Sequence, residues 1–252
     1  MAHWGHTFLV FTHKGGDMIS QYTRDWDRSG LLSKYVLFFV ALWRFLKIRF
    51  SAGVSKTELG AAYSALSSNR YAIAGTAYAK IKRARHSVTA FFTAPLWLLL
   101  GWWCYLRMLP LSDKAVSILG YEHMTADQLD VRQSILRKLK NYEEALRCIG
   151  RAVQKEDMSD TSYALLQLGL AECYSRIGKG SSYSPLAMAM VVVRDVETEK
   201  LKIDDRQKIR VLKQGAVVAE LNGQKHTATF LREKALTLAK NVGAFDQVAK
   251  VS

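Results

Sequence analysis

Nineteen consecutive residues, Val88 to Leu106, carry no charge in a chain that holds 36 Lys and Arg against 22 Asp and Glu. The run reads VTAFFTAPLWLLLGWWCYL. A helix needs about 20 apolar residues to cross a bilayer, and runs of about 17–25 do so. The apolar residues fall all around a helical projection rather than on one stripe, and Pro95 is tolerable in a membrane helix. Trp102, Trp103 and Tyr105 stand near its end, where aromatic rings favour the membrane interface. Lys80, Lys82, Arg83 and Arg85 flank its start. The run is therefore expected to span a membrane; a buried helix of a soluble domain is the rival reading.

A second apolar stretch, residues 31–50, has an uncharged centre of only nine residues, Tyr35 to Trp43. It either spans, with Lys34 snorkelling at one end and Arg44, Lys47 and Arg49 at the other, or lies flat at the interface. Between the two stretches, residues 49–86 carry seven basic residues against Glu58 alone. Such a segment stays on the cytoplasmic or matrix side, which places residues 111–252 on the opposite side. Its many small residues suit close packing on a neighbouring helix.

The charge is uneven along the chain. Residues 1–110 hold 14 Lys and Arg against 4 Asp and Glu, whereas residues 111–252 hold 22 against 18. A basic excess confined to the apolar half favours an anionic lipid surface over a nucleic-acid groove. Only three prolines occur, Pro95, Pro110 and Pro185, which suits long helices.

Motifs for chemistry are lacking. Cys104, Cys148 and Cys173 are odd in number and far apart, so neither a zinc site nor a disulfide framework is signalled. His3, His6 and His13 match no standard metal spacing. The segment "HKGG" is not a phosphate loop, and no nucleophile elbow or paired acid site is found. The expectation is a chain with no catalytic residues, no metal and no cofactor.

From residue 125 onward the pattern changes to amphipathic helices with short turns. In "KLKNYEEALRCIGRAVQKED" Ala145 and Ala152 share a face seven residues apart, after a turn at Lys140-Asn141. In "LGLAECYSRIGKG" Ala171 takes a small position, Tyr174 follows and Gly178 makes a turn. In the third unit Ala216, Ala219 and Gly223 repeat the first-helix pattern, and Ala228 and Ala235 the second. These units resemble tetratricopeptide repeats. Gln133, Ala171 and Ala216 align at the small-residue position with spacings of 38 and 45, whereas the family period is about 34. Gln133 departs from the usual Gly or Ala, and no unit carries the usual tryptophan or closing proline.

The apolar stretches and the resemblance together give the expectation of an all-α chain: one or two transmembrane or interfacial helices, then, as the resemblance implies, a solenoid of about three helical hairpins. Residues 1–30 form an arm, 31–110 a membrane-associated region and 111–252 the repeat domain. First helices line a concave surface that holds a partner's helix or extended peptide. The lining in this register is Asp127, Asp130, Arg137 and Lys138, then Glu172, Ser175 and Arg176, then Arg210, Lys213 and Glu220. No asparagine stands on these faces, so the clamp that captures chaperone tails is not expected. The implied function is a scaffold, accessory subunit or assembly factor, not an enzyme. It would work in a multiprotein membrane complex, in the mitochondrial inner membrane or alternatively a bacterial inner membrane. Partners are other subunits and anionic lipid; no nucleic acid is expected. A peripheral module whose basic half contacts lipid or nucleic acid is the alternative.

Overall fold

The structure, a computed structural model, describes residues 42–43, 46, 55–83, 88–156, 158–178 and 184–244. The side chains of residues 79–80, 82–83 and 88–93 lie outside the description. So do the arm 1–30 with its three histidines, most of the 31–50 stretch, and Arg85; Lys80, Lys82 and Arg83 are placed as backbone only. The described elements are all helices: α1 (Lys56–Arg83), α2 (Val88–Leu119), α3 (Ala126–Lys138), α4 (Tyr142–Ala152), α5 (Asp160–Ile177), α6 (Pro185–Glu197), α7 (Asp205–Leu221) and α8 (Lys225–Asn241).

Local chemistry starts and stops these helices. Thr125 and Gln128 form a reciprocal capping box at α3. Asn141, Ser159 and Asp204 cap α4, α5 and α7 through side-chain oxygens. Pro185 opens α6, where its missing N–H leaves no bond unmade. Gly178 closes α5 with φ 67°, in the left-handed region that a Cβ disfavours.

α1 and α2 form one long antiparallel hairpin. Ser67 Oγ donates to the Met108 carbonyl at 2.7 Å. Arg70 stacks 3.9 Å from the centroid of the Trp103 ring and donates from Nη1 to Cys104 Sγ at 3.8 Å. A Cβ on Gly101 would stand 2.9 Å from Ala77 Cβ, and one on Gly60 would enter the Leu119 side chain. The glycines thus let the two backbones close up at both ends of the hairpin. The small residues of the basic segment therefore do line a helix contact.

α2 is longer than the uncharged run. It continues through Pro95 and Pro110 for 32 residues, about 48 Å. The expected division at 110/111 falls inside it. Its last third, with exposed Asp113, Lys114 and Ser117, is polar. Among the described residues no helix is long and apolar enough to cross a membrane. The expected span over 88–106 therefore finds no support, because among the described residues α2 holds no stretch both long and apolar enough.

α3 to α8 pair as three antiparallel hairpins, α3–α4, α5–α6 and α7–α8. Each first helix also packs on the next first helix, α3 on α5 and α5 on α7. Each second helix reaches forward, α4 to α5 and α6 to α7. Two cores result, one around Leu129, Leu136, Ile149 and Leu166, the other around Leu168, Val193, Ile209 and Leu212. Ala145, Ala152, Ala171, Ala216, Ala219, Ala228 and Ala235 are all buried, so the alanine spacing marks real close contacts. Gln133 is buried too. Room for its amide comes from Gly169 on α5, where a Cβ would stand 2.8 Å from Gln133 Oε1.

Replacing Ala152 by Trp should overpack the α4 contact by about 1–3 kcal/mol. Glu143→Trp, on the exposed face of the same helix, should change stability by less than about 0.5 kcal/mol. Thermal melts of the two full-length variants check this; equal melting temperatures would show that the buried alanine face does not pack tightly.

Candidate functional site

Of the residues expected in the groove, Arg137 and Glu172 meet each other directly. At the centre lies Arg137 of α3. Its Nε donates to Gln133 Oε1 at 2.7 Å, its Nη2 to Ser134 Oγ at 3.3 Å, and its Nη1 to the Glu172 carboxylate of α5. The pair is enclosed: the side chains of Arg137 and Glu172 are 10% and 14% exposed. With its oxygen turned toward Arg137, Gln214 of α7 accepts from Nη2 at 3.0 Å. One guanidinium thus joins the three first helices. Asp130 accepts from Gln133 Nε2 at 2.8 Å. Its burial pushes the carboxyl above the usual carboxylate range, against the pull of Arg210, the Gln133 bond and Arg137.

The remaining groove residues divide. Ser162 of α5 donates to Asp127 of α3. Ser175 accepts from Asn222 Nδ2 at 2.8 Å and donates to the Ala171 carbonyl. Glu220 pairs with Arg232 of α8, inside its own hairpin. Lys138 and Arg176 are exposed, and Arg210 and Lys213 half-buried. The ladder thus spends Asp127, Arg137, Glu172 and Glu220 on contacts between helices, while Lys138 and Arg176 lie on the surface.

A second polar cluster escapes a groove-based reading. Arg132, buried on α3, donates from Nη1 to Ser112 Oγ at 2.9 Å and Asp113 Oδ1 at 2.8 Å on α2. Its Nε donates to Tyr121 Oη at 3.2 Å, and that hydroxyl donates to Glu144 Oε1 of α4 at 2.6 Å. The cluster fastens the α1–α2 hairpin to the stacked hairpins. A signal for it exists in the sequence: Arg132 stands three residues after Leu129 and four before Leu136, on the buried stripe.

Among the described residues, exposed large apolar side chains cluster on α2. Leu96, Leu98, Leu99, Trp102, Trp103, Tyr105 and Leu106 are all exposed, Leu99 by 65% and Trp102 by 64%. At about 100° per residue they cover roughly half the helix circumference. Trp97, Cys104 and Met108 occupy the opposite, buried side. A contiguous exposed patch of this kind marks a contact with lipid or protein. The three cysteines are buried and free, and burial pushes the Cys173 thiol up to about 12, so the thiolate is not offered at neutral pH.

No protein-family model, no curated protein and no solved structure matches this chain.

Two outcomes follow from the ladder. Arg137→Met strands the Glu172 carboxylate and should destabilise by about 3–5 kcal/mol, and adding Glu172→Met should recover most of that loss. Denaturant melts of the single and double variants test it; additive losses would mean that the pair does not couple α3 to α5.

Asp130 gives a pH signature. Its folded pKa lies above the ordinary 3.8, so the native state holds the proton more tightly than the unfolded chain. Stability from this group is therefore greatest at low pH and is lost as pH rises from about 4 through the raised value. Asp130→Asn should gain stability relative to the parent across that rise. Melts of both proteins at a series of pH values check it, and a constant difference would show that the carboxyl titrates normally.

Proposed function

We propose that this chain is a membrane-associated helical scaffold. The exposed, uncharged face of α2 meets the lipid, and the stacked hairpins α3–α8 hold a protein partner. The observation that carries the reading is the Leu96–Leu106 surface, on which seven large apolar side chains are exposed. A surface this apolar is unfavourable in water, and burial gains about 25 cal/mol per Å².

The tetratricopeptide-like character of α3–α8 belongs to the same proposal. It is supported by the pairing order, with first helices side by side and each second helix reaching the next first helix. It is supported also by the buried alanines at the repeated positions. The partner surface includes the exposed Lys138 and Arg176, which suit an acidic segment. Such a protein serves as an accessory subunit or assembly factor of a membrane complex. The basic composition, +14 formally, favours the mitochondrial inner membrane.

Leu99→Arg sets a charge in the middle of the face, at about 2.5–3.5 kcal/mol on the insertion scale, or roughly 100-fold in partitioning. The full chain should float with phospholipid vesicles in a density gradient, and the Leu99→Arg variant should stay at the bottom. Thr237→Arg on exposed α8 should float like the parent. A Leu99→Arg protein that floats equally well removes α2 from the membrane contact.

A further inference from the structure

We infer that the α1–α2 hairpin docks side-on at the interface of an anionic bilayer, with one side of α2 in the lipid and α1 behind it toward water. The inference rests on the membrane reading above and adds the lipid class and the side that docks.

The first argument fixes that side. Trp97, Cys104 and Met108 are buried, and Ala77 of α1 stands against Gly101 between them. α1 therefore covers this side of α2. Leu98 and Tyr105 stand on a flank that Leu109 and Val116 continue, at helical spacings of four and seven. Leu109 and Val116 pack into the core around Met124 and Leu129, so the stacked hairpins lie on this flank. The side opposite α1 carries Leu99, Trp102 and Leu106, at spacings of three and four. It runs on through Pro110, Asp113 and Ser117. All six are exposed. Lipid can therefore reach this side without displacing α1 or the stack.

The second argument is the extent of the apolar surface. From Leu96 to Leu106 α2 rises about 15 Å, half of a hydrocarbon core about 30 Å thick. Asp113 follows on the same side two turns after Leu106. A surface this short and confined to one side suits a helix lying in the interface, where the apolar face sinks about 5–10 Å. Such a helix needs charge toward water. The hairpin supplies it on the helix behind. With Ala77 against Gly101, the antiparallel register sets Lys80, Lys82 and Arg83 of α1 level with residues 95–98 of α2.

The third argument is charge. Between Glu58 and Asp113 the chain carries six Lys and Arg and no Asp or Glu. On α2, Leu96, Trp103, Arg107 and Lys114 stand in line at spacings of seven, four and seven. Arg107 and Lys114 are exposed, so cations edge the apolar side on the flank away from the stack. The neighbouring acid, Asp113, is held by Arg132 at 2.8 Å. Cations edging an apolar face complement anionic headgroups, and Trp102 and Trp103 suit the interface. A second copy of the chain would present the same acid-free hairpin, so its cations would face cations.

Three cysteine substitutions in the full chain test the geometry. Leu99→Cys and Leu106→Cys lie on the docking side. Gly75→Cys lies across α1 from α2, where nothing stands within 4 Å of an added Cβ. Each carries a nitrobenzoxadiazole probe, with the native protein as blank because its cysteines are buried. The proteins are mixed with phosphatidylcholine vesicles, with and without phosphatidylglycerol. Quenching by a nitroxide near the top of the lipid chain is compared with quenching by one near its end and by aqueous iodide. Side-on docking requires positions 99 and 106 to be quenched alike, severalfold more by the shallow nitroxide than by the deep one. It requires iodide to reach position 75 on vesicles as freely as in solution. Phosphatidylglycerol should raise the bound fraction severalfold, and Arg107→Gln with Lys114→Gln should lower it by roughly fivefold per cation.

Deep quenching at position 99 with shallow quenching at 106 would leave the membrane reading standing and overturn the side-on placement, as would loss of iodide access at 75 on vesicles. Equal binding to neutral vesicles, or undiminished binding by the glutamine variant, would strike out the anionic lipid. Protection from iodide at positions 99 and 106 without any vesicles would assign the side to a second copy of the chain. Absence of nitroxide quenching at both positions would overturn the membrane reading itself.

Discussion

The stack of hairpins depends on one guanidinium. Arg137 reaches Gln133 and Ser134 on its own helix, Glu172 on α5 and Gln214 on α7. An arginine presents five donors in a planar fork, so a single side chain can satisfy acceptors on several helices at once. Without them it would be an enclosed charge lacking partners, which is strongly unfavourable. The arrangement therefore sets the registry of three first helices relative to one another. Nonpolar contacts around it, such as Leu168 against α7, supply attraction but little directional information.

Arg132 plays the corresponding part at the joint. It ties Ser112 and Asp113 on α2 to Tyr121, and through the tyrosine hydroxyl to Glu144 on α4. The Arg151 guanidinium, 4.1 Å from the centroid of the Tyr121 ring, closes the cluster from outside. The joint gives the apolar hairpin a defined direction relative to the stack.

The two ends of the molecule solve packing in different ways. In α1–α2 close approach comes from glycines at positions 60 and 101 and from Ala77, as in helix pairs that associate by van der Waals contact. In the stack it comes from alanines at a seven-residue spacing and from Gly169, which leaves space for the buried Gln133 amide. Gln133 looked out of place among small residues in the sequence alignment of the units. Its size is accommodated by a neighbour 36 positions away, and its amide is useful because it links Asp130 to Arg137.

Helix content, the turns at Lys140-Asn141 and Gly178, and the buried alanine faces were legible in the sequence, because capping, left-handed turn residues and periodicity act within a few positions. The uncharged run was legible for the same reason, as a local sum over neighbours. The polar end of α2, its continuation past Pro110 to Leu119 and its one-sided cover by α1 were decided by contacts between distant segments. The groove residues were legible as positions but not as partners. Whether Arg137 or Glu172 faces solvent or another charge depends on how α5 lies against α3, and no local pattern encodes that. The chain alone thus determined which segments are helical and which are apolar; only the tertiary structure decided which charges are consumed inside and which apolar side chains remain bare, because burial is a property of pairs of helices and not of one.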